Sequence, residues 1–178
     1  MEDSVFLHVC CGPCAAYPLE FFREQRPGLK VQLWFHNPNI HPKSEWGRRR
    51  DSLAYLAAVS GLSVDFSSPY DPKSFLAELA KVPESPDRCR LCYRLRFEAA
   101  ASEASGRGFK CFGTTLAFSK RQRHDLIVEE GRRAAEGQGL EFYYEDWRPG
   151  WQRGHEIAKA LNLYRQNYCG CIYSEFER

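Results

Sequence analysis

Apolar runs and helix-period segments alternate along the whole chain. Residues 5–9 form a short continuous apolar run that reads as a buried strand, and residues 31–35, 63–66, 110–113 and 141–144 read the same way. Between them the apolar positions recur at helical spacing over residues 15–25, 44–60, 72–81, 89–105 and 122–136, with a short helix expected at 155–161. The punctuation agrees with this division. Pro18 is placed near the start of the first helix, where a missing N–H is tolerated, and Gly61 sits where a helix would close. Residues 82–87 hold Pro83 and Pro86 and are expected to be a loop, as is 114–119. Strands separated by helices predict right-handed βαβ units, and so an α/β fold: a parallel sheet with helices on both faces. If the strand order is 3-2-1-4-5, the loops after strands one and four flank the crevice where such sheets bind ligands.

A length of 178 residues with 43% hydrophobic content suits one domain, residues 1–178, with a core that needs no covalent staples. No internal repeat or long linker divides it. Met1-Glu2-Asp3-Ser4 is acidic where a secretory leader is basic, and no segment has the length of a membrane span, so the expectation is a cytoplasmic protein with no membrane partner. That compartment changes the meaning of eight cysteines, since clustered thiols in reducing surroundings bind metal or do redox chemistry more often than they form staples. The net charge of +2 does not by itself announce a nucleic-acid binder. Basic residues are grouped at 48–50, 120–124 and 132–133; each group alone reads as a solvated helix face, and together they permit a phosphate-rich partner.

Seven cysteines fall into three short motifs: Cys10-Cys11-Gly12-Pro13-Cys14, Cys89-Arg90-Leu91-Cys92 and Cys169-Gly170-Cys171. Cys89 and Cys92 share a helix face at a helix start, where the positive end of the dipole favours the metal-binding thiolate. Cys10 and Cys11 end a strand, and successive side chains leave an extended chain in opposite directions, which suits a cluster several ångströms across better than one tetrahedral zinc. The expected ligands of a 4Fe-4S cluster are therefore Cys10, Cys11, Cys89 and Cys92. Cys169 and Cys171 around one glycine suit a strained, redox-active disulfide, or else a second iron shared with Cys14. Cys14 stays open between auxiliary ligand and packing residue. Cys111, alone in an apolar strand, reads as core.

Competing chemistries fail on spacing. Tyr17 occupies the position where a C-x-x-x-C-x-x-C radical-enzyme motif needs its third cysteine. There is no P-loop, no G-x-G-x-x-G after the first strand, no H-E-x-x-H and no G-x-S-x-G. A zinc-binding structural or nucleic-acid-binding module and a C-x-x-C thiol-disulfide reductase remain as alternatives.

Five segments resemble the QueH-type, cobalamin-independent epoxyqueuosine reductases: residues 7–14, Asn37-Pro38-Asn39-Ile40-His41-Pro42, residues 88–95, Thr114-Thr115-Leu116 with Ser119, and residues 164–174. The match runs in order over nearly the whole chain. The resemblance implies a nucleotide-hydrolase-like (adenine nucleotide alpha-hydrolase-like) α/β fold, an iron–sulfur oxidoreductase, and deoxygenation of epoxyqueuosine to queuosine at the tRNA wobble position. tRNA carrying epoxyqueuosine and an electron donor of unassigned identity are the implied partners. Asn37, Asn39, Thr114, Thr115 and Ser119, on loops after strands, are expected to contact substrate. Lys120, Arg121 and Arg123 are expected on the RNA backbone, and Tyr164, Arg165 and Gln166 over the cluster or on phosphate.

Overall fold

Ser4–His8 (β1), Lys30–Trp34 (β2), Val64–Asp65 (β3), Cys111–Thr114 (β4) and Glu141–Tyr143 (β5) pair side by side, all parallel, in the order β3-β2-β1-β4-β5. These elements belong to a computed structural model, which describes residues 4–82 and 84–176. Residues 1–3, read above as lacking a leader, and Pro83, inside the expected loop, lie outside the described residues.

The two-residue period of β1 sets the two layers. Val5, Leu7 and Val9 point to one side and pack with Leu33, Phe35 and Cys111 under Gly12–Gln25 (α1), Lys43–Val59 (α2) and Trp151–Ala160 (α6). Phe6 points to the other, with Trp34 and Phe112, and is covered by Asp87–Gly106 (α4) and His124–Glu136 (α5). Pro72–Leu79 (α3) packs on α4, and Ile172–Phe176 (α7) ends the described chain. This is the expected α/β, Rossmann-like arrangement. Among the described residues no helix is long and apolar enough to cross a membrane. Cys111 lies in the core, as its apolar neighbours predict.

The chain leaves β1 toward β2 and β3, then returns to β4 on the other side, so strand order reverses between β1 and β4. Their carboxyl ends meet at the His8–Thr114 pair, and the Cys10 N–H donates to Thr115 Oγ1 at 3.3 Å. The loops after these strands are therefore neighbours at the crevice where parallel sheets bind ligands.

Several boundaries differ from expectation. α1 begins at Gly12, not residue 15, because Pro13 in the first turn has no N–H to leave unpaired. Pro18 therefore lies inside the helix rather than near its start, and its missing N–H frees the Cys14 carbonyl. Thr115–Phe118 winds into a 3-10 turn where a loop was expected, because the Thr114 hydroxyl accepts from the Leu116 N–H. α6 starts at Trp151, four residues early, continuing from the Arg148–Gly150 3-10 turn. α7 was not anticipated.

Phe97 ties α4 to the sheet. Fully buried, it stacks on Tyr93 at 5.9 Å and meets His8 edge-on at 6.2 Å and Phe142 at 5.9 Å. Truncating it opens a cavity under the helix that carries Cys89 and Cys92. Phe97→Ala is expected to lower unfolding free energy by about 3–5 kcal/mol, whereas Tyr55→Ala on the exposed side of α2 changes it by less than about 0.5 kcal/mol. Urea titration of the two variants checks this.

Candidate functional site

Helix α1 opens on Gly12 because any larger residue would collide with α2: an added Cβ would sit 2.7 Å from Ser52 Oγ and 2.8 Å from its carbonyl oxygen. This close approach brings the three thiols of the first motif around the helix start. Cys11 is the N-cap, Cys14 sits in the first turn, and the sulfurs of Cys10, Cys11 and Cys14 all lie within 4.8 Å of one another. Although side chains part on an extended strand, the Cys10 and Cys11 sulfurs converge to 3.8 Å. Cys11 and Cys14 S–H groups donate to Cys10, which holds the Cys10 thiol well below its ordinary pKa. Burial pushes Cys11 up to about 12, and its bonds to Cys10 and Cys11 hold Cys14 well above the usual range. The trio thus carries one negative charge most readily. Gln166 Nε2 donates to Cys11 Sγ at 2.8 Å, with Cys14 Sγ at 4.0 Å.

The other two motifs reach the same place. A cavity of about 450 Å³ is lined by Cys10 and Cys14, by Cys89 and Cys92 from the start of α4, and by Cys169 and Cys171 from the tail. Burial pushes Cys92 up to about 12, against the pull of Arg96. All eight cysteines are free thiols, so the expected Cys169–Cys171 disulfide is not formed here. Cys14, open between ligand and packing from its spacing, groups with Cys10 and Cys11. Three thiols within 4.8 Å, with four more thiols in the other two motifs on the same cavity wall, form a donor set suited to iron or an iron–sulfur cluster.

The tail is held down by a buried ion pair. Arg49 Nε donates to Glu45 Oε1 at 2.7 Å, its Nη1 to the Cys169 carbonyl at 2.8 Å and its Nη2 to the Tyr168 carbonyl at 3.2 Å. Glu45 Oε2 accepts from Arg48 at 2.8 Å and from the Tyr164 hydroxyl at 2.6 Å. Burial would raise the Glu45 pKa, but the bonds from Tyr164 and Arg49 hold it below the usual carboxylate value. The turn between the tail cysteines must be glycine: Gly170 has φ +102°, and a Cβ there would stand 2.8 Å from Arg49 Nη1. The His41 N–H donates to the Gly170 carbonyl at 2.9 Å, and the Tyr168 hydroxyl to the His41 carbonyl at 2.9 Å.

Under the crevice runs a second polar network. His8 Nε2 donates to the His36 carbonyl and its Nδ1 accepts from Thr114 Oγ1, both at 2.9 Å. Burial, reinforced by Arg96, lowers its pKa to about 3 and keeps the ring neutral. Arg96 Nη2 donates to Asn37 Oδ1 at 2.7 Å, and Asn37 Nδ2 to the Val9 carbonyl at 2.8 Å.

The expected substrate residues divide on these contacts. Asn37, Thr114 and Thr115 are taken up in positioning the loops. Asn39, 2% exposed, lines the cavity with its Oδ1 unpaired. Ser119 lines it and accepts from the Arg121 N–H at 3.2 Å. Arg121 donates to the Asn167 carbonyl at 2.6 Å and Arg123 to Ser85 Oγ at 3.2 Å, so both tie segments of the protein together. Exposed Arg165 lines the cavity, Tyr164 is spent on Glu45, and Lys120 lies over the Trp151 ring. Sequence reasoning passed over Glu45, Arg49, Arg96 and Gln122, whose Nε2 donates to Cys169 Sγ at 3.6 Å. The i, i+4 spacing of Glu45 and Arg49 was a readable signal for their pair; nothing local marks the others.

Comparison with known proteins completes the picture. The family described as Epoxyqueuosine reductase QueH matches residues 5–177. The chain is similar to Epoxyqueuosine reductase QueH of Dehalococcoides mccartyi, 37% identical over 100% of this chain and 96% of that protein. The protein of the same name from Thermotoga maritima is 34% identical over 98% of this chain and 92% of the relative, and that of Haemophilus influenzae 34% over 97% and 72%.

Arg49→Met leaves Glu45 buried with one partner lost and two tail carbonyls released. The expected result is a loss of about 3 kcal/mol and faster alkylation of Cys169 and Cys171, with Cys111 still protected, as read by mass spectrometry. Because the Glu45 pKa is lowered, the native latch is complete at neutral pH and loosens only as pH falls below 4.5 through the lowered value.

Proposed function

The chain belongs to the family of QueH epoxyqueuosine reductases, and from that premise we propose how its cavity carries out the reaction. The protein is an oxidoreductase that reduces epoxyqueuosine to queuosine at the wobble position of tRNA, the last step of queuosine biosynthesis. The observation that carries the reading is the convergence of all three cysteine motifs on one cavity at the switch point of the sheet.

Removing the epoxide oxygen as water takes two electrons and two protons. A 4Fe-4S cluster, when bound, supplies electrons one at a time. Cys10, Cys11 and Cys14 are the nucleus of its ligand set, with Cys89 and Cys92 beside them on the cavity wall. Cys169 and Cys171 hold two thiols whose closure to a disulfide would release two electrons and two protons, the amount the reaction consumes. A second iron shared with Cys14 is the other use of this pair. A separate electron donor must then restore the thiols. Gln122 and Gln166 aim N–H groups at Cys169 and Cys11 and fix where those sulfurs point. The opening admits a base swung out of the single-stranded anticodon loop. Arg165 and Lys120, both exposed, are placed to meet RNA phosphate. A tRNA substrate fits a cytoplasmic protein.

Asn39 is the substrate contact this geometry favours, since a buried amide without a partner is held at a cost that a bound ligand removes. Asn39→Leu is expected to melt at the same temperature or higher, yet to lose about tenfold or more in kcat/KM.

Incubating reduced, iron-loaded protein without oxygen on tRNA carrying epoxyqueuosine, followed by mass analysis of the nucleosides, tests the reading. Queuosine is expected from wild type and Cys111→Ser, and none from Cys10→Ser or Cys14→Ser. Epoxyqueuosine left intact by fully loaded wild type overturns it.

A further inference from the structure

One stretch of the cavity wall carries no sulfur. It is built by α6, whose Trp151, Gly154, His155 and Ala158 line the cavity at i, i+3, i+4 and i+7, together with Phe118 from the turn after β4. An apolar stripe at that spacing is ordinarily sealed against a core. Here Gly154 and Ala158 are buried, while Trp151 and His155 stay half-exposed at the cavity. Phe118 and Trp151 stack at 5.2 Å and 22°, and His155 sits 4.4 Å from Trp151 with its ring tilted by 43°. His155 Nδ1 donates to the Trp151 carbonyl at 2.9 Å, which locks the imidazole beside the indole. Gly154 is required beneath them, because a Cβ there would stand 2.4 Å from the Phe118 ring.

A cation lies beside these rings: Lys120, on an exposed side chain, has its Nζ 5.8 Å from the Trp151 ring centre. A cation over an exposed ring is held by about 0.5–1 kcal/mol, less than the roughly 1–3 kcal/mol of a stacked base. A base arriving at Trp151 therefore displaces the ammonium, which can turn to the phosphate of the same nucleotide.

We propose that Trp151 and His155 are a stacking platform for an unmodified nucleobase next to the wobble position, with Lys120 on its phosphate. This rests on the tRNA substrate assigned above. Partly exposed aromatic rings with an adjacent cation, and no thiol, match the requirements of single-stranded RNA rather than those of the reacting epoxide. The platform would hold the anticodon loop in register while the modified base enters among the cysteines.

Trp151 is the only half-exposed residue among the four tryptophans; Trp34, Trp46 and Trp147 are buried. Its emission therefore reports contact directly. Iron-loaded protein is titrated with an anticodon stem-loop RNA, following tryptophan emission and the anisotropy of a label on the RNA. Wild type is expected to bind with quenching. Trp151→Phe should bind within about threefold but without that quenching, and Trp151→Leu, which keeps apolar bulk without a ring, should bind about 5- to 150-fold more weakly. Melting temperatures establish that both variants are folded. Quenching that persists in Trp151→Phe, or unaltered affinity in folded Trp151→Leu, overturns the platform. If Trp151→Leu weakens binding of free epoxyqueuosine nucleoside as much as that of the stem-loop, the rings take the modified base itself and the flanking assignment is wrong. Failure of the reductase reading would look different: wild type would yield no queuosine whatever the binding data.

Discussion

The site depends on the Glu45–Arg49 pair and on where its remaining hydrogen bonds go. Both side chains are buried, Glu45 completely and Arg49 to within 2%. Two ions in such a place cost several kcal/mol each unless every donor and acceptor is met. The tail meets them: the carbonyls of Tyr168 and Cys169 take the guanidinium, the Tyr168 ring lies 5.2 Å from its carbon, and the Tyr164 hydroxyl caps the carboxylate. The tail cannot lift away without stranding a buried charge, and the charge is tolerable only with the tail in place. Cys169 and Cys171 are thereby fixed on the cavity that Cys10 and Cys14, more than 150 residues earlier in the chain, also line, instead of trailing from the last helix. The same guanidinium lines the cavity, where its charge draws the Cys11 thiol down against the burial that raises it.

The sheet supplies the other half of the geometry. Reversal of strand order between β1 and β4 sets two loops side by side, and the buried His8–Thr114 and Asn37–Arg96 contacts keep them so. Neutral His8 bridges the ends of three strands without adding charge beneath the thiols. Hydrogen bonds from Cys11 and Cys14 instead hold the Cys10 thiol well below its ordinary pKa, in a group of three sulfurs at the start of a helix. A metal ion or cluster arriving there meets one ligand already disposed to ionise and two that must release protons on binding.

Much of this was readable from the chain alone. The strands followed from apolar runs alternating with helices, because a buried parallel strand leaves a continuous hydrophobic signature, while the order 3-2-1-4-5 entered only as a condition that the strand pairing meets. The three cysteine motifs announced a thiol-rich centre, since spacing within a motif is a local property. The partition of that centre was not local. Cys14 joins Cys10 and Cys11 only because α1 begins three residues earlier than its apolar period suggests, on the Gly12 contact with Ser52. Arg49 looked like one member of a basic cluster because its tail partners lie about 120 positions away. Arg121 and Arg123, expected on RNA, are drawn into holding the tail and the α4 entrance. Trp151 lies before the helix expected at 155–161, and only the cavity beside it and His155 separates a stacking surface from a packing one.

The central claim is that these thiols assemble one iron–sulfur centre nucleated by the α1 trio. Its most direct test is iron and acid-labile sulfide quantification, with the visible spectrum, on protein purified without oxygen. The account predicts iron and sulfide bound together in wild type and in Cys111→Ser, and both lost in Cys14→Ser. Wild-type protein so prepared that carries zinc, or holds no acid-labile sulfide, would contradict it.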